Sequence, residues 1–143
     1  MRYLLLVSHG TFAPGLHSVL KMLAGDRDDV LSASLEDGMS AEDFVGRLEG
    51  TIDGVGADDE VIVLGDIIGG SPLTNTLSVL QKRGLLARAC AFGGMNLPMA
   101  LVAAMQLQTA DLDELKASMV SEAREATKEM ELASSESDDE DDI

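Results

Sequence analysis

The sequence predicts an α/β fold: a doubly wound, mostly parallel sheet of about four strands in the order 2-1-3-4, flanked by helices. Three observations carry this prediction. Short apolar runs recur along the chain, stretches with helical periodicity separate them, and the two kinds of segment alternate in the order βαβαβαβαα. Runs that stay apolar without alternating suit strands buried on both faces, as in a parallel sheet.

The elements follow in order. Tyr3–Val7 is the first apolar run and ends at Ser8-His9-Gly10. Leu16, Val19, Leu20 and Leu23 then recur at helical spacing until Gly25 stops the helix. Val30–Leu35 is a weaker second strand. Ser40 is placed to cap the next helix, with Asp43 three residues on as a loose capping box. Glu42 and Asp43 fall where the helix dipole favours acids, and Phe44, Val45, Leu48 and Ile52 form the apolar face. Glu60–Leu64 is the third strand and ends at Gly65-Asp66. Ser71 is expected as the N-cap of a third helix, with Pro72 at its first position and Leu73, Leu77 and Leu80 on its inner face. Arg88–Phe92 is the fourth strand, ending at Gly93-Gly94. A fourth helix is expected to bury Leu97, Leu101, Val102 and Met105, and a fifth Leu112, Leu115, Met119, Val120, Ala123 and Met130. Met105, Met119 and Met130 are therefore assigned to core filling rather than to metal binding.

Composition narrows the function. The 143 residues are 45% hydrophobic and 25% charged, with a mean hydropathy of +0.11, as expected of a globular domain. No apolar run approaches the roughly 18 residues of a membrane span, and the first residues lack a secretory signal pattern. A cytoplasmic location without membrane insertion is expected. Twenty-six acids against ten bases give a net charge of −16, which excludes a basic nucleic-acid-binding face. Seven of those acids, and no base, lie in residues 131–143. Residues 1–130 are thus expected to form the domain, and 131–143 an acidic, disordered tail. The body itself keeps 19 acids against 10 bases, which suits a basic protein partner. A single cysteine, Cys90, excludes an internal disulfide framework; in a buried strand it is expected to be inert. No His, Cys and carboxylate cluster has metal-ligand spacing, so no metal is expected.

Ligands of open α/β sheets gather at the carboxyl ends of the strands, and three such ends here carry chemistry. His9 sits where the first strand meets solvent. A neutral imidazole is a nucleophile near pH 7 when a carboxylate accepts its Nδ1 proton and fixes the other nitrogen. Asp66, at the end of the third strand, enters the same crevice if strands one and three are neighbours. A histidine with only a structural role is the competing reading. Gly69-Gly70-Ser71-Pro72 fits an anion turn, whose glycines let amides face a phosphate at a helix N-terminus; a well-capped helix alone would leave the same signature. The turn is not a Walker A loop, so no nucleotide is implied. Asn96 reads as a helix cap or as a wall of the crevice. His17, inside the first helix pattern, reads as a packed or exposed helical side chain.

Three motifs together resemble the IIA component of the mannose-family (mannose/fructose/sorbose) bacterial sugar phosphotransferase system. They are Ser8-His9-Gly10-Thr11-Phe12-Ala13-Pro14-Gly15-Leu16, Asp66-Ile67-Ile68-Gly69-Gly70-Ser71-Pro72 and Gly94-Met95-Asn96-Leu97-Pro98-Met99. The resemblance spans roughly residues 1–130. It implies a phosphocarrier without a cofactor. His9 would take a phosphoryl group at Nε2 from HPr, the histidine phosphocarrier protein, and give it to a IIB component working with a IIC/IID permease. Asp66 would orient His9 and offset its charge; Gly69, Gly70 and Ser71, with Thr11 adding a hydroxyl, would hold the phosphoryl oxygens. A homodimer is also implied. The family often has an aromatic residue in the turn after the aspartate, where this chain has Ile67-Ile68. Family members commonly exchange a C-terminal strand between subunits; the acidic tail here is poor as a strand, so that exchange is not expected. Competing readings are a phosphorylation-dependent regulator, the phosphocarrier subunit of a dihydroxyacetone kinase, a small tetrapyrrole metal chelatase, and a non-catalytic binding module.

Overall fold

The computed structural model describes residues 1–133, so the tail expected from 131 lies almost wholly outside the described residues. Four strands, β1 (Arg2–His9), β2 (Val30–Leu35), β3 (Glu60–Gly65) and β4 (Ala89–Phe92), form one sheet in the order β2-β1-β3-β4. Every pairing is parallel; in register, Val7 lies opposite Ala33 on one side and Gly65 on the other, and Leu64 lies opposite Phe92. The helices are α1 (Phe12–Ala24), α2 (Ala41–Thr51), α3 (Ser71–Lys82), α4 (Leu97–Gln106) and α5 (Leu112–Glu125), with a 3-10 turn at Leu86–Arg88 before β4.

Continuous apolar strands put alternate side chains on opposite faces, and both faces are covered. Leu4, Leu6, Ile62 and Leu64 point into a core shared with Leu16, Leu20, Met99, Ala103, Leu115 and Met119, from α1, α4 and α5. Leu5, Val7, Val61 and Val63 point the other way, into a core with Phe44, Leu48, Leu73 and Leu80 from α2 and α3. The chain therefore leaves β1 for one face and β3 for the other. The carboxyl ends of these adjacent strands flank the point where the winding reverses, which is where a crevice opens in such sheets.

The expected capping box of α2 is present: Ser40 Oγ accepts from Asp43 N at 3.0 Å and Asp43 Oδ2 accepts from Ser40 N at 3.5 Å. Three expectations need correction. The cap of α3 is Gly70, in extended conformation, and Ser71 is the first helical residue. Ser71 Oγ accepts from Asn75 Nδ2 at 2.8 Å instead of closing the helix end. In α4, the buried residues are Met99, Ala100, Ala103 and Ala104, whereas Leu97, Leu101 and Val102 are half-buried and Met105 is 60% exposed. This helix lies against both α1 and α5, and small side chains occupy its innermost line, so size rather than hydropathy sets its phase. Finally, α5 ends at Glu125 and Met130 is exposed. Residues 126–129 are Ala-Thr-Lys-Glu, which offer no large apolar side chain to hold another turn against the sheet. Of the three methionines assigned to the core, only Met119 is buried; Met95 and Met99 join it.

The amino end of the sheet is tied by polar groups. Asp29, almost wholly buried, receives Arg27 Nε at 3.0 Å and Nη2 at 2.9 Å, and Gln108 Nε2 at 3.1 Å, while Arg27 Nη1 donates to Ala104 O. Burial presses the Asp29 carboxyl upward, but the hydrogen bonds from Arg27 and Gln108 outweigh it and hold it below its ordinary value. Arg2 bonds Glu60 at 2.8 Å and the carbonyls of Leu107 and Ala110. The segment before β2 and the end of α4 are thereby fastened at the pole opposite His9.

Candidate functional site

β1 ends by turning sharply. Gly10 adopts φ +60, a conformation that a Cβ disfavours, and its N–H donates to Leu35 O at 2.9 Å. Ser8 is fully buried beside it, and its Oγ accepts from Ala13 N at 2.7 Å, satisfying a first-turn donor of α1 that Thr11 does not cap. Sequence reasoning assigned Ser8 no part in the site; its only signal was a polar residue closing a buried strand. His9 is thus fixed between an anchored strand and an anchored helix start, with its side chain 47% exposed.

Asp66 follows β3 directly. Its Oδ2 accepts both from His9 N at 2.9 Å and from His9 Nδ1 at 2.8 Å, and its Oδ1 accepts from Ile67 N at 2.9 Å. Partial burial presses this carboxyl upward, but the hydrogen bonds from the His9 backbone, the His9 ring and Ile67 N–H outweigh it and hold it below the usual aspartate value. Asp66 is therefore a carboxylate at neutral pH and can only accept. It follows that Nδ1 of His9 carries the hydrogen, and in the neutral ring Nε2 keeps its lone pair.

The turn that follows closes on the imidazole. Gly69 adopts φ +86. At Gly70 a Cβ would stand 2.9 Å from His9 Cε1 and 3.1 Å from Ile67 Cγ1, so only glycine lets the start of α3 approach the ring this closely. The N-terminus of α3, whose first amides have no partner within the helix, therefore begins beside the imidazole. Thr11 is exposed at the N-cap of α1 and its hydroxyl has no hydrogen-bond partner among the described residues. The turn itself is held from β4: Gly94 N donates to Asp66 O and Met95 N to Gly65 O, each at 3.0 Å.

His9, Asp66, Gly69, Gly70, Ser71 and Thr11 thus come together at one sheet end. Asn96 is engaged elsewhere. Its Oδ1 accepts from Met99 N at 3.0 Å, capping α4, and its Nδ2 donates to Ala123 O at 3.3 Å, tying α4 to α5. It lines a neighbouring groove of about 620 Å3 with Ile68, Phe92, Gly93 and Arg124, and makes no hydrogen bond to His9 or Asp66. His17 lies apart on α1, with Nδ1 at 2.8 Å from Ser32 Oγ. Burial, with Lys21 nearby, lowers its pKa, which favours the neutral ring. Burial pushes the Cys90 thiol up, so it is a poor nucleophile at neutral pH.

The arrangement is a nucleophilic imidazole with one nitrogen fixed by a carboxylate and the other facing solvent beside a helix N-terminus. Such a site can accept and release a small anionic group. Known proteins agree in kind. A family model described as the PTS system fructose IIA component matches residues 3–120. The PTS IIA protein associated with the fucose utilization operon of Streptococcus pneumoniae is 28% identical, with a TM-score of 0.74, over 90% of this chain and 92% of that one. The mannose/sorbose-specific IIA subunit of Enterococcus faecalis is 23% identical, with a TM-score of 0.77, over 93% and 97%. The phosphotransferase system component EIIA of Streptococcus agalactiae is 24% identical, with a TM-score of 0.75, over 90% and 97%.

Proposed function

The chain belongs to the PTS fructose IIA component family, and from that premise we propose that it is a cytoplasmic phosphocarrier in which His9 takes a phosphoryl group from phospho-HPr and passes it to a IIB component for sugar uptake. The observation that carries this reading is the 2.8 Å contact between His9 Nδ1 and Asp66 Oδ2, which leaves Nε2 as the nucleophile.

In the forward step the Nε2 lone pair attacks phosphorus as the P–N bond to the donor histidine breaks, and the donor ring leaves with that electron pair. His9 keeps its Nδ1 hydrogen, so its ring acquires positive charge as the new P–N bond forms. Asp66 is already ionised and within hydrogen-bond distance, so it offsets this charge without having to move. Little covalent chemistry is required of the protein; positioning and electrostatics supply the acceleration. The backbone amides of Gly70 and Ser71, made approachable by Gly69, together with the Thr11 hydroxyl, hold the phosphoryl oxygens. The return step to IIB is the same reaction with a new acceptor, and a IIC/IID permease completes uptake. The working form is a homodimer; β4, four residues long at the sheet edge, offers an unpaired side for a second copy.

Intact mass after incubation with phosphoenolpyruvate, Enzyme I and HPr tests the reading. One acid-labile phosphoryl group is expected, absent in His9→Ala and retained in His17→Ala. No added mass with an active HPr from the same organism overturns it.

A further inference from the structure

The site is held from a side that its chemistry does not touch. Gly93, the first residue after β4, lies under the turn that carries Asp66. A Cβ built on Gly93 would collide with Ile68 Cγ1 and would stand 2.8 Å from Ile68 N. The first of these clashes is with a side chain that is 80% exposed and free to turn away. The second is with backbone, and backbone cannot yield without the turn. Two further bonds lock the same layers, from Gly94 N to Asp66 O and from Met95 N to Gly65 O. At the far end of the turn, Gly70 rests against His9 Cε1. The path from Gly93 through Ile68 to the imidazole is therefore one of continuous contact, within a turn of five residues.

We propose that Gly93 is a positioning residue for the His9–Asp66 pair: its bare Cα lets the Ile68 backbone seat against the end of β4, so that the 66–70 turn closes on the imidazole. A methyl group there lifts the turn and loosens the two bonds that Asp66 Oδ2 receives from His9. The ring is then no longer held in the Nδ1–H form. The isolated neutral imidazole has no such restraint, so the Nε2–H form becomes populated at the expense of the nucleophile. Gly93 touches neither the reacting nitrogen nor the incoming group, and its effect passes wholly through the turn. This inference deepens the phosphocarrier reading and, for its consequence on rate, rests on it.

The test is the tautomer of His9 in the protein alone, read from the nitrogen and proton shifts of the ring by NMR, followed by the rate of phosphoryl transfer from HPr. Wild type should show Nδ1–H as the dominant neutral form. Gly93→Ala should show a mixture of the two forms and transfer roughly tenfold more slowly. Ala57→Ser, an exposed change in the loop before β3, should match wild type in both. Ile68→Gly frees the backbone of the 66–70 turn to leave its seat on Gly93 without adding bulk, and decides the matter if Gly93→Ala does not fold: a fall in the Nδ1–H form supports the proposal. A wild-type ring and rate in Gly93→Ala, or an unchanged ring in Ile68→Gly where that variant decides, overturns it. A shifted tautomer in a protein that takes no phosphoryl group even as wild type would uphold Gly93 as the positioning residue and sink the phosphocarrier reading instead.

Discussion

At the scale of single residues, the proposed exchange asks two things of Asp66: to keep the His9 hydrogen on Nδ1 and to stay charged while the ring becomes positive. Its hydrogen bonds meet both demands. Asp66→Asn preserves the size and the ability to accept, but it removes the charge and offers an N–H that can point at the ring. Phosphorylation of His9 should fall about a hundredfold or more, measured as the initial rate of mass gain. The same carboxyl has a pH signature. Its pKa is lowered by folding, so the stability it contributes is complete above the unfolded value of about 3.9 and is lost as pH falls through the lower folded value. The imidazole and carboxylate were legible in the sequence because each closes an apolar run. Gly93 was not, because its constraint comes from Ile68, which arrives from another loop and is remote in sequence.

At the scale of elements, the strands could be read more faithfully than the helices. A parallel strand is apolar on both sides, so its identity survives ignorance of what covers it. A helix shows its inner face only if the largest apolar residues point inward, and α4 breaks that rule by turning Ala100, Ala103 and Ala104 to the core. The helix starts divide in the same way. Ser40 and Asp43 make a local box that four adjacent residues suffice to define, whereas the start of α3 depends on the extended backbone of Gly70 and on the approach of His9. The tie between the segment before β2 and the end of α4 was invisible, since Asp29 and Gln108 are 79 residues apart. It carries a clear expectation. Asp29→Ala leaves the Arg27 and Gln108 donors without their buried acceptor, and should lower unfolding stability by about 1–3 kcal/mol in denaturant titration. Phosphorylation of His9 should persist, because the tie sits at the opposite pole of the sheet.

For the whole molecule, the described core closes without the acidic end: its last fully buried side chain is Met119, and residues 124–133 are exposed. We propose that residues 131–143 are dispensable for the fold. Their deletion should leave Tm within about 2 °C and, by light scattering, leave the mass of the proposed dimer unchanged except for the residues removed. A large drop in Tm would give the tail a structural part, and a monomer from either form would remove the second copy from the working unit. The alternation of strands and helices and the acidity were already legible in the sequence, because these follow from periodicity and charge. The packing of one loop on another did not follow, because it is decided by shape.

The exposure of His9 has a kinetic side. One ring edge faces outward, and the carboxylate and the glycine turn occupy the rest of its surroundings. Under the proposed exchange, giver and receiver must therefore use the same doorway in turn. No complex holding all three proteins at once can be the reactive one, and the charged imidazole must survive alone in water between visits. The traffic is a shuttle, with unloaded donor and loaded acceptor each competing for the seat the other has just left.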